Sequence, residues 1–260
     1  MAVTPDPAGG ASPWPMVDEV REAVVRDAGS SLVGLYLLGS LATGDFEAGV
    51  SDLDLLAVLA SDPDERLVPA LGRMHADLAQ DHPAWDDRIE VVYISREGLA
   101  SCRTDPATIA VISSGAPFQV LEAGRDWVLT WYPAREDGVR LLGPPVDMLI
   151  PPIPWAEFAG AVRRSLAGLG DRIPDDARPG SQAYAILTAC RALYAVRFGE
   201  RRSKRAAAAW AQRELPHRAD LVRRALGWRR RQWEPEDPDG SATVAETRSF
   251  VAELARLALG

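Results

Sequence analysis

The chain has 260 residues, 47% of them hydrophobic and 25% charged, which is enough apolar material for a sizeable core and a length that suits two domains sharing an interface. Its formal net charge of -8 argues against nucleic-acid or anionic-membrane binding over the whole surface and is compatible with attracting a cationic small molecule. Cys102 and Cys190 stand far apart with no partner motif, the start has no basic and apolar leader, and no apolar run reaches roughly 18 residues, so a disulfide framework, a zinc site and a membrane span are unsupported and a cytoplasmic setting is expected.

Residues 1–15 are expected to form a mobile tail. Residues 16–28 place Met16, Val20, Val24 and Val25 at helical spacing and predict an amphipathic helix. The apolar run "SLVGLYLLGS" reads as a buried strand that ends in Gly39 and Ser40. "SDLDLLAVLA" begins a second strand, a helix is expected from about Glu65, and the β-branched run at 87–95 is a third strand. Beyond it the pattern predicts a short helix, a strand near 118–122 and a helix from about 126 to 136. Five prolines in residues 141–155 forbid a continuous helix and mark the domain boundary, giving domains at 16–150 and 151–260. From Trp155 onward five segments repeat apolar residues at three and four positions, the pattern of an all-α bundle.

The chemistry centres on "YLLGSLATGDFEAGVSDLDLLAVL". In a strand, residues i and i+2 share a face, so Asp52 and Asp54 present adjacent carboxylates while Leu53 and Leu55 turn to the core. Two carboxylates that close repel unless a cation sits between them, and hard oxygen ligands with room for water and phosphates suit Mg²⁺. Gly39 lets the backbone approach a phosphate, and Ser40, as the cap of a following helix, would add donors. Glu90, on a neighbouring strand, supplies a third acid able to ligate metal or to act as a general base. Taken singly, a D-x-D is also a solvated turn, a Gly-Ser is also a plain turn, and Glu90 is also an exposed alternate residue on an edge strand. Their order, strand, turn, strand, helix, strand, is what joins them.

That order resembles the nucleotidyltransferase superfamily typified by DNA polymerase β, over roughly residues 30–95. The resemblance implies an α+β protein whose N-terminal domain holds a mixed sheet flanked by helices. It also implies two Mg²⁺ ions and transfer of a nucleoside monophosphate to a hydroxyl with release of pyrophosphate. Within the superfamily, "VRLLGPPVDMLIPPIP", "LTACRALYAV" and "RRSKRAAAAWAQRELP" resemble stretches of the aminoglycoside (3'')-adenylyltransferases, the streptomycin and spectinomycin resistance enzymes. By that resemblance ATP is the co-substrate and Ser40 and Ser51 contact its phosphates. Asp52, Asp54 and Glu90 hold the metals, and Glu90 is also the base. Arg191 and Lys204 reach the triphosphate from the helical domain, which implies a cleft between domains, and the acceptor is a cationic small molecule. ATP carries more negative charge than two Mg²⁺ ions offset, and the basic stretch from Arg191 to Arg231 is a source of cations, although a solvated helix face is the default reading for most of it.

The stretch before the Arg-bearing helix departs from the family's aromatic and acidic pattern, with Arg178 and Ser181 near those places. Asp175 and Asp176 remain either contacts for a polycation or loop solubilisers. Trp127, Trp131 and Trp155 read first as packing residues, and His75, His82 and His217 show no ligand spacing. Two other functions stay open at this level. One is the same catalysis on a protein hydroxyl or an RNA end, and the other is a catalytically silent nucleotide-binding protein.

Overall fold

A computed structural model of the chain describes residues 12–231 and 240–259. The chain divides into two compact units, Met1–Ile153 and Pro154–Gly260. The tail expected over residues 1–15 lies outside the described residues up to position 11, and Trp14 and Pro15 already belong to the first helix.

Unit 1 runs α1 (Trp14–Ala28), β1 (Leu32–Leu37), α2 (Gly39–Ala42), β2 (Leu53–Leu59), α3 (Leu67–Asp81), β3 (Ile89–Ser95) and α4 (Arg96–Ser101). It continues with β4 (Ala107–Ser113), β5 (Ala116–Ala123), α5 (Val128–Asp137) and β6 (Val139–Leu142). The six strands form one mixed sheet in the order β5-β4-β3-β2-β1-β6. Only β2 and β3 run parallel, because α3 carries the chain back across the sheet between them; every other neighbouring pair is antiparallel. Strand β3 is therefore internal, and the edge-strand placement of Glu90 is corrected by its pairing with β2 on one side and β4 on the other.

Alternation along the strands sorts the two faces. Leu53, Leu55, Ala57 and Leu59 of β2, with Ile89, Val91 and Tyr93 of β3, join one buried cluster under Val20 and Val24 of α1 and Leu71, Met74 and Leu78 of α3. Val25, expected on the apolar side of α1, is 39% exposed; Val17 and Ala23 are buried instead. Asp54 and Glu90 fall on the odd-numbered neighbours' opposite face, away from that cluster.

Two strands differ from expectation. Residues 107–113 are a short continuous apolar run, which periodicity cannot separate from a helical segment, and pairing with β3 and β5 makes them a strand. Residues 139–142 are only four long, and their register with β1 depends on partners about 100 positions away. Trp131 is fully buried with Trp127 stacked on it at 5.5 Å, and Trp155 packs on Phe158, so the tryptophans serve packing.

Unit 2 is all helix: α6 (Trp155–Ala167), α7 (Pro179–Phe198), α8 (Lys204–Glu214), α9 (Ala219–Arg230) and α10 (Ser241–Leu259). Helix α7 is central and packs against each of the other four. Its small residues Ala183, Ala185 and Ala189 are buried beside Ile186, Leu187 and Leu193, which lets neighbouring helices approach on several sides. The side chain of Gln182 ties the starts of α7 and α10 together. Its Nε2 donates to Ala177 and Gly240 carbonyls, each at 2.8 Å, and its Oε1 accepts from Thr243 and Thr247 at 2.9 and 2.7 Å. Cys190 is buried in this core, which pushes its thiol up to about 12, and neither cysteine is in a disulfide. Among the described residues no helix is long and apolar enough to cross a membrane.

Candidate active site

The site begins where β1 ends. Leu38 N–H donates to Asp54 O at 2.7 Å, holding the turn after β1 against β2. Gly39 follows with φ of +62°, a left-handed conformation that favours glycine. Position 39 needs glycine for a second reason: a Cβ there would lie 1.8 Å from Asp54 Oδ2. Ser40 does not cap a helix. The cap position of α2 is Leu38, and Ser40 lies inside the four-residue helix, where its carbonyl accepts from Asp45 N at 2.8 Å.

The loop from Asp45 to Asp52 delivers the carboxylates. Ser51 is buried, its Oγ accepting from Glu47 N at 3.0 Å, so its side chain closes the loop that precedes β2. Asp52 immediately precedes β2, and Asp54 is the second residue within it. Asp54 stands directly beside Glu90 in the parallel register of β2 and β3, so the two side chains leave one face of the sheet from adjacent strands. Glu90 Oε1 accepts from Ser114 N at 3.0 Å.

Arg88 organises this corner. It is 7% exposed, donates through Nη2 to Ser51 O at 2.7 Å and through Nη1 to Ala84 O at 3.0 Å, and lies 4.6 Å over the Trp85 ring. Burial lowers its pKa while the nearby Asp52 charge pushes the other way. A guanidinium stays charged through such a shift, so the corner carries a buried positive charge beside the carboxylates.

The donor set of Asp52, Asp54 and Glu90 is oxygen only, which fits a hard divalent cation, and the backbone at Gly39 is open to a close approach. Among the described residues no three or more acidic, histidine or cysteine side chains form a ready-made metal cage. Mg²⁺ seldom uses one and completes its shell with water and phosphate oxygens.

In unit 2, Arg191 is exposed on α7 and Lys204 is the first residue of α8. Ser203 caps α8, its Oγ accepting from Ala206 N at 3.1 Å, which fixes where Lys204 emerges. Lys204 Nζ lies 5.5 Å from the ring centroid of Tyr184, a 58% exposed residue two turns before Arg191 on the same face of α7. The structure thus gathers Gly39, Ser40, Ser51, Asp52, Asp54 and Glu90 in unit 1, and in unit 2 sets Lys204 over Tyr184, with Arg191 two turns further along the same helix. Asp175, one of the two loop carboxylates, accepts from Arg248 Nη1 at 2.7 Å. Sequence reasoning missed Arg88, Tyr184 and Ser114. The seven-residue spacing of Tyr184 from Arg191 was the one legible signal among them.

Residues 17–96 match the family model for the nucleotidyltransferase domain, and with the acids and glycine turn placed as above the chain is a nucleotidyltransferase. Residues 148–255 match the model for the C-terminal domain of aminoglycoside adenylyltransferase. The chain is thus similar to the aminoglycoside adenylyltransferases in both of its parts, with a nucleotidyltransferase domain followed by their C-terminal domain. It is 28% identical over 210 residues to a spectinomycin 9-adenylyltransferase of Staphylococcus aureus, covering 74% of this chain and 76% of that protein. It is 25% identical over 254 residues to a spectinomycin 9-adenylyltransferase of Campylobacter jejuni, covering 92% and 95%. An aminoglycoside (3'') (9) adenylyltransferase of Rhizobium radiobacter is 28% identical over 211 residues, covering 77% and 76%. The crystal structure of spectinomycin adenyltransferase AAD(9) from Enterococcus faecialis with ATP and spectinomycin has the same fold, with a TM-score of 0.73 at 19% identity over 94% of this chain and 99% of that one.

Proposed function

We propose that the protein transfers AMP from ATP to a hydroxyl of an aminoglycoside-type antibiotic of the spectinomycin and streptomycin class, releases pyrophosphate, and so confers resistance. The observation that supports this best is the in-register pair Asp54 and Glu90 with the Gly39 turn pressed against Asp54. The spectinomycin 9-adenylyltransferases among its relatives favour spectinomycin as the first acceptor to try.

In this reading Glu90 takes the proton of the acceptor hydroxyl, whose oxygen attacks the α-phosphorus of ATP. The bond from that phosphorus to the bridging oxygen of pyrophosphate breaks, and the electron pair leaves with pyrophosphate. Mg²⁺, held by Asp52, Asp54 and Glu90, would neutralise charge on the triphosphate and on the leaving group. The Gly39 and Ser40 turn and Ser51 lie on the side of the phosphates, and Arg191 and Lys204 supply the cations that offset the remaining negative charge. Tyr184 joins Lys204 as a stacking surface on that face. The net charge of -8 draws a polycationic acceptor, and dependence on ATP makes the cytoplasm the proposed compartment.

The test is pyrophosphate release with Mg-ATP across spectinomycin, streptomycin and other aminoglycosides, with Asp54→Asn and Glu90→Gln as controls. Release with one of these antibiotics, lost in both variants while the circular dichroism spectrum is retained, is the expected result. Release only with a protein or RNA acceptor would replace the substrate class. Binding of Mg-ATP with no release for any acceptor would leave a silent nucleotide-binding protein.

A further inference from the structure

The turn joining β4 to β5 meets the start of β3 through two consecutive backbone amides. Ser114 N donates to Glu90 Oε1 at 3.0 Å, and Gly115 N donates to Asp87 Oδ1 at 2.6 Å. The ladder between β3 and β4 ends at Val91 and Ile112, so beyond it these amides have carboxylates of the neighbouring segment as acceptors in place of a strand carbonyl. Charge-assisted bonds of this kind are among the stronger ones a backbone amide makes.

Asp87 is held in an uncommon backbone conformation to do this. Among the described residues it is the only one other than glycine with positive φ, at +57°, where aspartate is tolerated better than most residues but glycine would be easier. Gly115, at φ of +74°, has no atom within 4 Å of where a Cβ would stand, so glycine there answers to backbone conformation and not to crowding. Backbone strain of this sort persists where the surroundings fix it, and here the fixing contact is the side chain's own bond to the hairpin.

We propose that Asp87 is a positioning residue for catalysis: by anchoring Gly115 it pins the β4–β5 turn over the start of β3, so that Ser114 N–H fixes Glu90 through Oε1 and leaves Oε2 for the acceptor proton. The proposal rests on Glu90 serving as the base in the reading above. Asp87 acts through the hairpin and touches neither substrate. A general base gains its efficiency from geometry, so a carboxylate released from one of its bonds costs turnover more than binding.

The experiment compares Asp87→Gly with Asp87→Asn in the pyrophosphate-release assay with Mg-ATP and spectinomycin. Asp87→Gly relieves the positive φ and removes the acceptor for Gly115 N, whereas Asp87→Asn keeps a carbonyl oxygen there and tolerates the same φ. The expected result is a kcat lower by roughly tenfold or more in Asp87→Gly, with both KM values within about twofold and the melting temperature unchanged, and a kcat near wild type in Asp87→Asn. Wild-type kcat in Asp87→Gly, alongside an inactive Glu90→Gln, overturns the proposal and leaves the base in place. Equal losses in Asp87→Gly and Asp87→Asn overturn it as well, by assigning the effect to the charge of Asp87. Full activity in Glu90→Gln would remove the base itself and the proposal with it.

Discussion

The carboxylate of Asp54 occupies the space that a side chain at position 39 would fill, with Oδ2 1.8 Å from the point where a Cβ on Gly39 would stand. Gly39→Ala would therefore displace Asp54 and also force a left-handed φ of +62° on a residue with a Cβ. A shift of about 1 Å in a reacting group is enough to cost on the order of a hundredfold in rate. The variant is expected to fold, since Gly39 is exposed and Asp54 lies outside the main cluster, and to lose turnover by about that factor in the pyrophosphate-release assay. Turnover within threefold of wild type would show that Asp54 has room to move without consequence.

That contact explains why part of the site was legible in the sequence. Gly39, Asp54 and Glu90 lie on consecutive pieces of a strand, turn, strand, helix, strand unit, so their order along the chain already encodes their convergence. The parallel register that sets Asp54 beside Glu90 follows from the α3 crossover, which the periodicity of residues 67–81 announces. Arg88 was illegible because an arginine beside an aspartate reads as surface, and its burial depends on a carbonyl 37 residues away and on the Trp85 face. Ser114 was illegible because it contributes a backbone amide, which no residue type advertises. Strands β4 and β6 escaped for a related reason: a short apolar run becomes a strand only through partners that lie elsewhere in the chain.

His75 makes stability depend on pH in a defined window. It is 4% exposed, shares a 2.9 Å hydrogen bond with the buried Tyr93 hydroxyl, and burial pushes its pKa down from 6.5 to about 4. Above pH 6.5 the ring is neutral in both the folded and unfolded chain and stability is complete. Below 6.5 the unfolded chain takes up a proton that the folded chain refuses, so stability falls until the folded ring protonates near pH 4. The loss attributable to this residue is on the order of 3 kcal/mol. His75→Gln retains a hydrogen-bonding group without titrating and should remove that part of the slope, as read from urea midpoints at pH 7 and pH 4.5. Identical slopes in the two proteins would assign the acid sensitivity to other groups.

Gln182 is expected to be a stability residue of unit 2 and not an activity residue. Its amide serves two carbonyls and two hydroxyls from residues 177 to 247, and the residue is fully buried. Gln182→Leu keeps the volume and leaves the Ala177 and Gly240 carbonyls without these bonds, at a cost of roughly 2–4 kcal/mol. Thermal unfolding should show a clear drop in midpoint. The kcat of the remaining folded enzyme should stay near wild type. An unchanged midpoint would mean that water replaces the amide without loss.

If Lys204 reaches the triphosphate as proposed, its removal separates nucleotide binding from folding. Its ammonium sits over the half-exposed Tyr184 ring at 5.5 Å, a contact worth about 0.5–1 kcal/mol at such a site, so Lys204→Ala should leave the melting temperature nearly unchanged. Loss of a charge-assisted contact to a triphosphate removes more, roughly 1.5–3 kcal/mol, and corresponds to a tenfold or greater rise in the Kd for Mg-ATP. Titration calorimetry with Mg-ATP checks this directly, and raising the salt concentration should weaken the wild-type protein more than the variant, because one charge of the binding set is already gone. Lys204→Arg restores the charge but not the compact ammonium, so an intermediate affinity is expected. An unchanged Kd in Lys204→Ala would take α8 out of the nucleotide site and leave the Lys204 and Tyr184 pair as a surface contact of unit 2.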